Sequence, residues 1–185
     1  YKKAKDQMRK QKSKPESYVL LDVETTGLNH EEDRIIEVGL IKVKDGEIEE
    51  TFQALVEQEA TISIKIAQMT GITNDMIKRS GLDEAYVLNR VMEIISNNSV
   101  VGYNISFDLK FIQAACNRLG IANTIKYSLD ILTIARKKID SITNYRMYTV
   151  ADYFSLEVSE EHRAKSDCEL AYRILKELNK INNNS

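Results

Sequence analysis

Four carboxylates stand where an apolar fold would place carbon, in three separated segments: Asp22-Val23-Glu24 after an apolar run, Asn104-x3-Asp108, and His162-x4-Asp167. Tyr18-Val19-Leu20-Leu21 is short, apolar and partly β-branched, and reads as a buried strand. The period of two along a strand puts Asp22 and Glu24 on one face. Two like charges aimed one way in a low-dielectric setting raise each other's pKa unless a cation keeps both ionised. Thr25-Thr26-Gly27-Leu28 follows, with Gly27 marking a turn or a close approach.

The other two segments open helices. From Ser106 the residues Leu109, Ile112, Ala115, Cys116 and Leu119 recur at helical spacing, and Asp108 precedes Phe111 and Ile112 by three and four residues, so it starts the inward stripe. In the last helix Leu170, Ala171, Ile174, Leu175 and Leu178 form the stripe, with Asp167 again three and four residues ahead of its first members. An unpaired buried carboxylate is costly or simply protonates, and a divalent cation shared among several removes that cost. Taken singly, each residue has an ordinary explanation. A lone Asp-x-Glu carries little weight in a chain with 29% charged residues. Asp108 or Asp167 would favour a helix N-terminus electrostatically, and a histidine such as His162 commonly sits hydrogen-bonded at a surface. The conjunction is what points to chemistry: three motifs, each present once, each acid on an apolar face.

Asp22-Val-Glu-Thr-Thr-Gly-Leu28, Asn104-Ile-Ser-Phe-Asp108 and His162-Arg-Ala-Lys-Ser-Asp167 resemble the three motifs of the DEDDh, or DnaQ-like, 3′-5′ exonucleases. Met69-Thr70-Gly71-Ile72-Thr73 resembles the Thr-Gly-Ile-Thr segment that these enzymes carry between the first two motifs. The Glu-Thr-Thr-Gly-Leu form is more similar to the proofreading exonucleases of bacterial DNA polymerase III than to the Glu-Met-Thr-Gly-Leu of oligoribonucleases. The resemblance implies a ribonuclease H-like fold and metal-dependent removal of nucleoside 5′-monophosphates from the 3′ end of single-stranded DNA, in proofreading or repair. It also implies that Asp22, Glu24 and Asp167 hold one ion, that Asp22 bridges to a second, and that Asp108 helps position the second through water. Oxygen ligands without a cysteine or histidine cluster select hard cations, so the expected cofactors are two divalent ions, Mg²⁺ or Mn²⁺. His162 is then the general base, because a neutral imidazole takes a proton near neutral pH where lysine or arginine would not.

Substrate contacts are expected beside these motifs. The family uses equivalents of Leu28 to pack against the terminal base, and Met69 and Phe107 are apolar neighbours that suit a reader indifferent to base identity. Core packing is the competing reading for all three. By resemblance, backbone amides around Thr25, Thr26 and Gly27 contact the terminal sugar. Asn104 either hydrogen-bonds the strand or caps a helix.

The wider pattern is α/β. Ile35 to Lys44 and Ile48 to Val56 read as strands joined at Asp45-Gly46, a strong hairpin signal. Short helices are expected at about 63 to 69 and 73 to 79, and an amphipathic one near 83 to 96. Ser99 to Tyr103 and Lys126 to Leu129 read as strands, with further helices near 130 to 138, 148 to 154 and 163 to 180. Three antiparallel strands followed by alternating strands and helices give a mixed five-stranded sheet flanked by helices, in one domain spanning 18 to 181.

Residues 1 to 17 carry seven Lys or Arg against two acids, whereas the remaining 168 residues carry 19 against 26. The start thus reads as a basic tail or linker, the body as acidic, and Asn182-Asn183-Asn184-Ser185 as a polar end. Bound cations would reverse the field locally, so one terminal phosphate can be gripped without a broad basic face. Opening at Tyr1 instead of Met, the chain reads as a fragment or trimmed product, with room for an upstream fused domain or a DNA polymerase partner. No apolar run approaches a membrane span, no signal peptide is visible, and Cys116 and Cys168 lack metal or disulfide spacing, so the expectation is a soluble, cytoplasmic protein with reduced thiols. Two other functions fit the same residues: an exoribonuclease of this fold trimming RNA 3′ ends, and a non-catalytic nucleic-acid-binding module.

Overall fold

The computed structural model describes residues 17–158 and 162–181. Apart from Ser17, the basic tail and the polar end lie outside the described residues.

The first strand, β1 (Tyr18–Thr25), is apolar on both faces: Val19, Leu20, Leu21 and Val23 are all buried. A strand of that kind has to be covered from both sides. It pairs antiparallel with β2 (Ile35–Lys44), which pairs antiparallel with β3 (Glu47–Leu55), and parallel with β4 (Ser99–Gly102), itself parallel to β5 (Ser128–Asp130). The strand order β3-β2-β1-β4-β5 is the mixed five-stranded sheet expected of a ribonuclease H-like fold. Asp45 and Gly46 both take positive φ, 56° and 83°, which is the twist that a two-residue hairpin needs.

Seven helices of the described residues follow the expected pattern: α1 (Ile64–Thr70), α2 (Asn74–Ser80), α3 (Glu84–Ile95), α4 (Ser106–Leu119), α5 (Ile131–Lys138), α6 (Met147–Tyr153) and α7 (Ala164–Lys180). Val19, Leu21 and Val23 pack with α3 and α4 on one face of the sheet, while Leu20, Ile41, Val43 and Val101 pack with α5, α6 and α7 on the other. A third, smaller cluster of Ile36, Ile62, Ile72 and Ile77 seats α1 and α2. The Thr70-Gly71-Ile72-Thr73 segment is the junction between those two helices. Gly71 ends α1 at φ 70°, Ile72 anchors in the core, and the Thr73 hydroxyl caps α2 by accepting from Met76 N–H. Among the described residues, no helix is long and apolar enough to cross a membrane.

Two expectations shift in detail. The inward stripe of α4 is Asp108, Phe111, Ile112, Ala115 and Cys116; Leu119 is exposed, in the turn that Gly120 ends in a left-handed conformation. The last strand is the short Ser128–Asp130, whose register against β4 runs from Val100↔Ser128 to Gly102↔Asp130. As the outermost strand its side chains are largely exposed.

Between β2 and α7 lies a fully buried carboxylate that the sequence pattern did not mark. Glu37 accepts from Arg163 Nε at 3.0 Å, from the Ala164 amide at 3.0 Å and from Gln53 Nε2 at 2.9 Å. It thereby fixes the start of α7, 126 residues away in sequence. Removing one partner of a buried, multiply bonded charge is far more costly than removing an exposed one. Glu37→Gln is expected to lower unfolding free energy by about 3 kcal/mol in urea titrations. Glu49→Gln, which removes only the surface pairs with Lys42 and Lys44, is expected to leave the urea midpoint unchanged.

Candidate active site and metal centre

β1 pairs with β2 from Tyr18 to Thr25 but with β4 only from Tyr18 to Leu20. Beyond Leu20 the β4 side of the strand has no ladder. Asp108, in the first turn of α4, fills part of the gap: its Oδ1 accepts from Val23 N–H at 2.9 Å in a buried contact. The carboxylate does there what a neighbouring carbonyl would have done. Asp22 and Glu24 share the face of Leu20, the face that α7 covers, and Asp167 in the first turn of α7 meets them there.

Carboxylate oxygens of Asp22, Glu24 and Asp167 lie within 4.8 Å of one another. Three acids with ligand atoms that close, and no thiol or imidazole in the set, form a group that could hold a hard divalent cation. Asp108 stands beside this trio with one oxygen committed to Val23. The close approach depends on Gly39, the β2 partner of Asp22. A Cβ there would lie 2.4 Å from the Ala164 backbone carbon and 2.5 Å from Lys165 N, so any side chain would push α7 and Asp167 outward.

Among the described residues, no lysine or arginine forms a salt bridge with any of the four acids. Arg163, next to His162 in the chain, turns to Glu37 instead. Burial pushes Asp22 well above the usual carboxylate range, and the charges of Asp108, Asp167 and Glu24 push it further. Burial also raises Glu24 to about 8, with Asp167 adding to the effect and Arg163 only partly opposing it. Asp108 rises to about 7 through burial, against the pull of the Val23 amide. Asp167 is raised by burial as well, opposed by the Tyr148 hydroxyl and by His162.

The four acids, His162 and every expected substrate contact line one of two adjoining hollows. A cleft of about 290 Å³ is walled by the four acids with His162, Asn104, Phe107 and Met69. A second hollow of about 450 Å³ is bounded by Glu24, Thr25, Thr26, Gly27 and Leu28, and shares Met69 and Phe107 with the first. Leu28 is 86% exposed and Met69 55%, so the core-packing reading of these two does not describe them. Phe107 does both jobs, packing against Phe111 at 4.9 Å while facing the hollows. The Thr26 amide is already donated to the Arg34 carbonyl, and its hydroxyl bonds Asp33. Gly27 is a close approach, since a Cβ would meet the Asp33 carboxylate at 2.3 Å. Asn104 does not cap α4, whose N-cap Ile105 makes no side-chain bond; it sits at φ 58° with its amide held by Asp130.

Three site residues escaped sequence reasoning. Tyr148 on α6 donates to Asp167 Oδ1 at 2.9 Å and lies 2.8 Å from His162 Nδ1. Asp130 ends β5, caps α5 and raises the pKa of Asp108. Tyr103 lines the cleft while its hydroxyl donates to the Tyr145 carbonyl at 2.6 Å. Their only local signal was the end of a strand or a place on a short helix. His30 lies outside the acid cleft, edge-on to Phe111.

Over residues 19–175 the chain matches the family described as Exonuclease. The PolC-type DNA polymerase III of Caldanaerobacter subterraneus subsp. tengcongensis is 34% identical over 170 residues, covering 89% of this chain and 12% of that protein. The PolC-type DNA polymerase III of Bacillus subtilis is 37% identical over 165 residues, covering 88% and 11%. The chain thus spans about a tenth of the length of these curated relatives. In fold it is similar to exonuclease I, with TM-score 0.81 at 18% identity over 91% of this chain and 41% of that one. E. coli exonuclease I in complex with a dT13 oligonucleotide gives 0.80 at 18% identity, over 90% and 41%.

Raised folded-state pKa values mean that the native protein holds more protons than the unfolded chain from about pH 4, where free carboxylates titrate, up to about 8 for Glu24. Stability present below that window is therefore lost as pH rises through it. Calorimetry on cation-free protein is expected to show the melting temperature falling by several degrees from about pH 5 to about pH 8. Glu24→Gln should flatten that slope, and a divalent cation should raise the melting temperature most at the alkaline end.

Proposed function

The chain belongs to the exonuclease family, and on that premise we propose that it removes nucleotides one at a time from the 3′ end of single-stranded DNA, releasing nucleoside 5′-monophosphates. The observation that carries this reading is the convergence of Asp22, Glu24 and Asp167 oxygens within 4.8 Å, with Asp108 beside them and, among the described residues, no lysine or arginine in a salt bridge with the group.

Asp22, Glu24 and Asp167 form the ligand set for one divalent cation, and Asp108, with one oxygen on Val23 and the other uncommitted to it, helps hold a second. Mg²⁺ or Mn²⁺ suits these oxygen donors, and when bound supplies Lewis-acid stabilisation of the phosphate and a lowered pKa for the attacking water. His162 is exposed at the mouth of the cleft, where it serves as the general base that takes the proton of that water. Leu28, Met69 and Phe107 offer an apolar wall on which any base can rest, so selection is for an end and not for a sequence. Thr25, Thr26 and Gly27 border that wall, and Asn104 borders the cleft, where the terminal sugar and the next phosphate would be received.

The PolC-type relatives support DNA over RNA as substrate, and a DNA polymerase as partner, in the same longer chain or beside it in the cytoplasm. The acidic body supports weak, distributive action on naked DNA, with tighter engagement when a partner presents the strand.

A 5′-labelled single strand incubated with Mg²⁺ or Mn²⁺ is expected to shorten stepwise from its 3′ end. EDTA or Asp22→Asn should abolish the ladder. His162→Ala should lower kcat by about 10²- to 10⁴-fold. Internal cuts, or an Asp22→Asn variant with wild-type activity, would overturn the mechanism, and faster shortening of the matching RNA would assign the exoribonuclease reading. The double variant Leu28→Ala and Met69→Ala is expected to raise KM for single-stranded DNA about tenfold, because the terminal base then has less apolar wall to rest on.

A further inference from the structure

Tyr148 sits on α6, an element that carries none of the acids, yet its hydroxyl lies between the histidine and a carboxylate, 2.8 Å from His162 Nδ1 and 2.9 Å from Asp167 Oδ1. The two rings meet edge to face, with centroids 4.8 Å apart at 74°. Val150 and Ala151 bury α6 in the core formed with α7, so the phenol is held on a packed element.

A phenol has one proton to donate and lone pairs with which to accept. An ionised carboxylate can only accept, so the Tyr148 proton goes to Asp167, and the imidazole nitrogen facing the same oxygen has to be a donor. For a neutral imidazole one arrangement satisfies both contacts: N–H at Nδ1 and a lone pair at Nε2. Histidine free in water favours the opposite tautomer, with its proton on Nε2, where it would meet a water as a donor and could not take that water's proton. The hydrogen bond made at one ring nitrogen decides what the other can do.

We propose that Tyr148 is a positioning residue that fixes the tautomer and orientation of His162 through the chain His162–Tyr148–Asp167, making Nε2 the basic nitrogen. This rests on the reading of His162 as general base. The same hydroxyl occupies one oxygen of Asp167 and leaves the other for a cation, so the base and the ligand set are tied by one side chain.

Tyr148→Phe keeps the ring and its packing and removes only the oxygen. Long-range proton–nitrogen correlation spectra of the histidine rings, at mildly alkaline pH with and without Ca²⁺, are expected to show His162 protonated at Nδ1 in the wild type and shifted towards the Nε2–H form in the variant. The variant's kcat should fall about tenfold with KM for single-stranded DNA unchanged. A wild-type ring already in the Nε2–H form, or a variant with wild-type tautomer and kcat, would overturn the proposal. A fully active His162→Ala enzyme would instead sink the general-base reading, and the tautomer spectra, which need no turnover, tell the two failures apart.

Discussion

β1 is paired along its whole length on one side and only from Tyr18 to Leu20 on the other, and that mismatch creates the site. A strand end left without a neighbour exposes backbone groups that must find partners, and the start of the next helix is the nearest source. Asp108 answers Val23 N–H from there. The same open end lets Asp22 and Glu24 point past the sheet towards α7 instead of into packed carbon. The C-terminal ends of parallel strands are where α/β sheets generally leave such openings. Here the opening is furnished with carboxylates on three sides.

Electrostatics then requires a choice that the fold makes visibly. Clustered acids can be neutralised by lysines and arginines, by protons or by cations. The guanidinium of Arg163, next to His162 in the chain, bonds Glu37, a carboxylate one step removed from the cluster, where it locks α7 to β2. The four site acids are left to protonate, as their raised pKa values indicate, or to take up a dication. Stability has been placed next to the site and kept out of it, which suits the cation-binding role proposed for these acids.

How much of this was legible from residues alone depended on the range of each interaction. Asp22 and Glu24 announced themselves because strand periodicity is local, and Asp108 and Asp167 because a charge at the head of an apolar helical stripe is local as well. The Thr70–Thr73 junction could be read for the same reason. Glu37 and Gly39 could not: one looks like any acid in a strand, the other like any small residue, until α7 arrives from more than a hundred positions away. Tyr148 read as one aromatic in a short helix, and its meaning comes wholly from His162 and Asp167. Leu28 and Met69 had two readings, since apolar character argues for burial, and only the surface reveals that they stand open.

The two hollows differ in how firmly their walls are held, and the difference follows from burial. α7, which brings Asp167, is a 17-residue helix with eight buried residues, clamped at its start by Glu37. α1, which brings Met69, has seven residues, of which only Thr70 is buried, and relies on its Ser63 and Gly71 caps and the small isoleucine cluster beneath. Local opening is cheapest where little apolar packing must be broken. On the proposed reading, adjustment to different terminal bases is concentrated in the α1 wall, while the acids stay fixed by a strand and two long helices. Because Met69 and Phe107 face both hollows, a base seated against them as proposed would also set where its phosphate lies relative to the acids. An enzyme that is tolerant of base and strict about geometry needs that arrangement: a yielding wall coupled to a rigid floor.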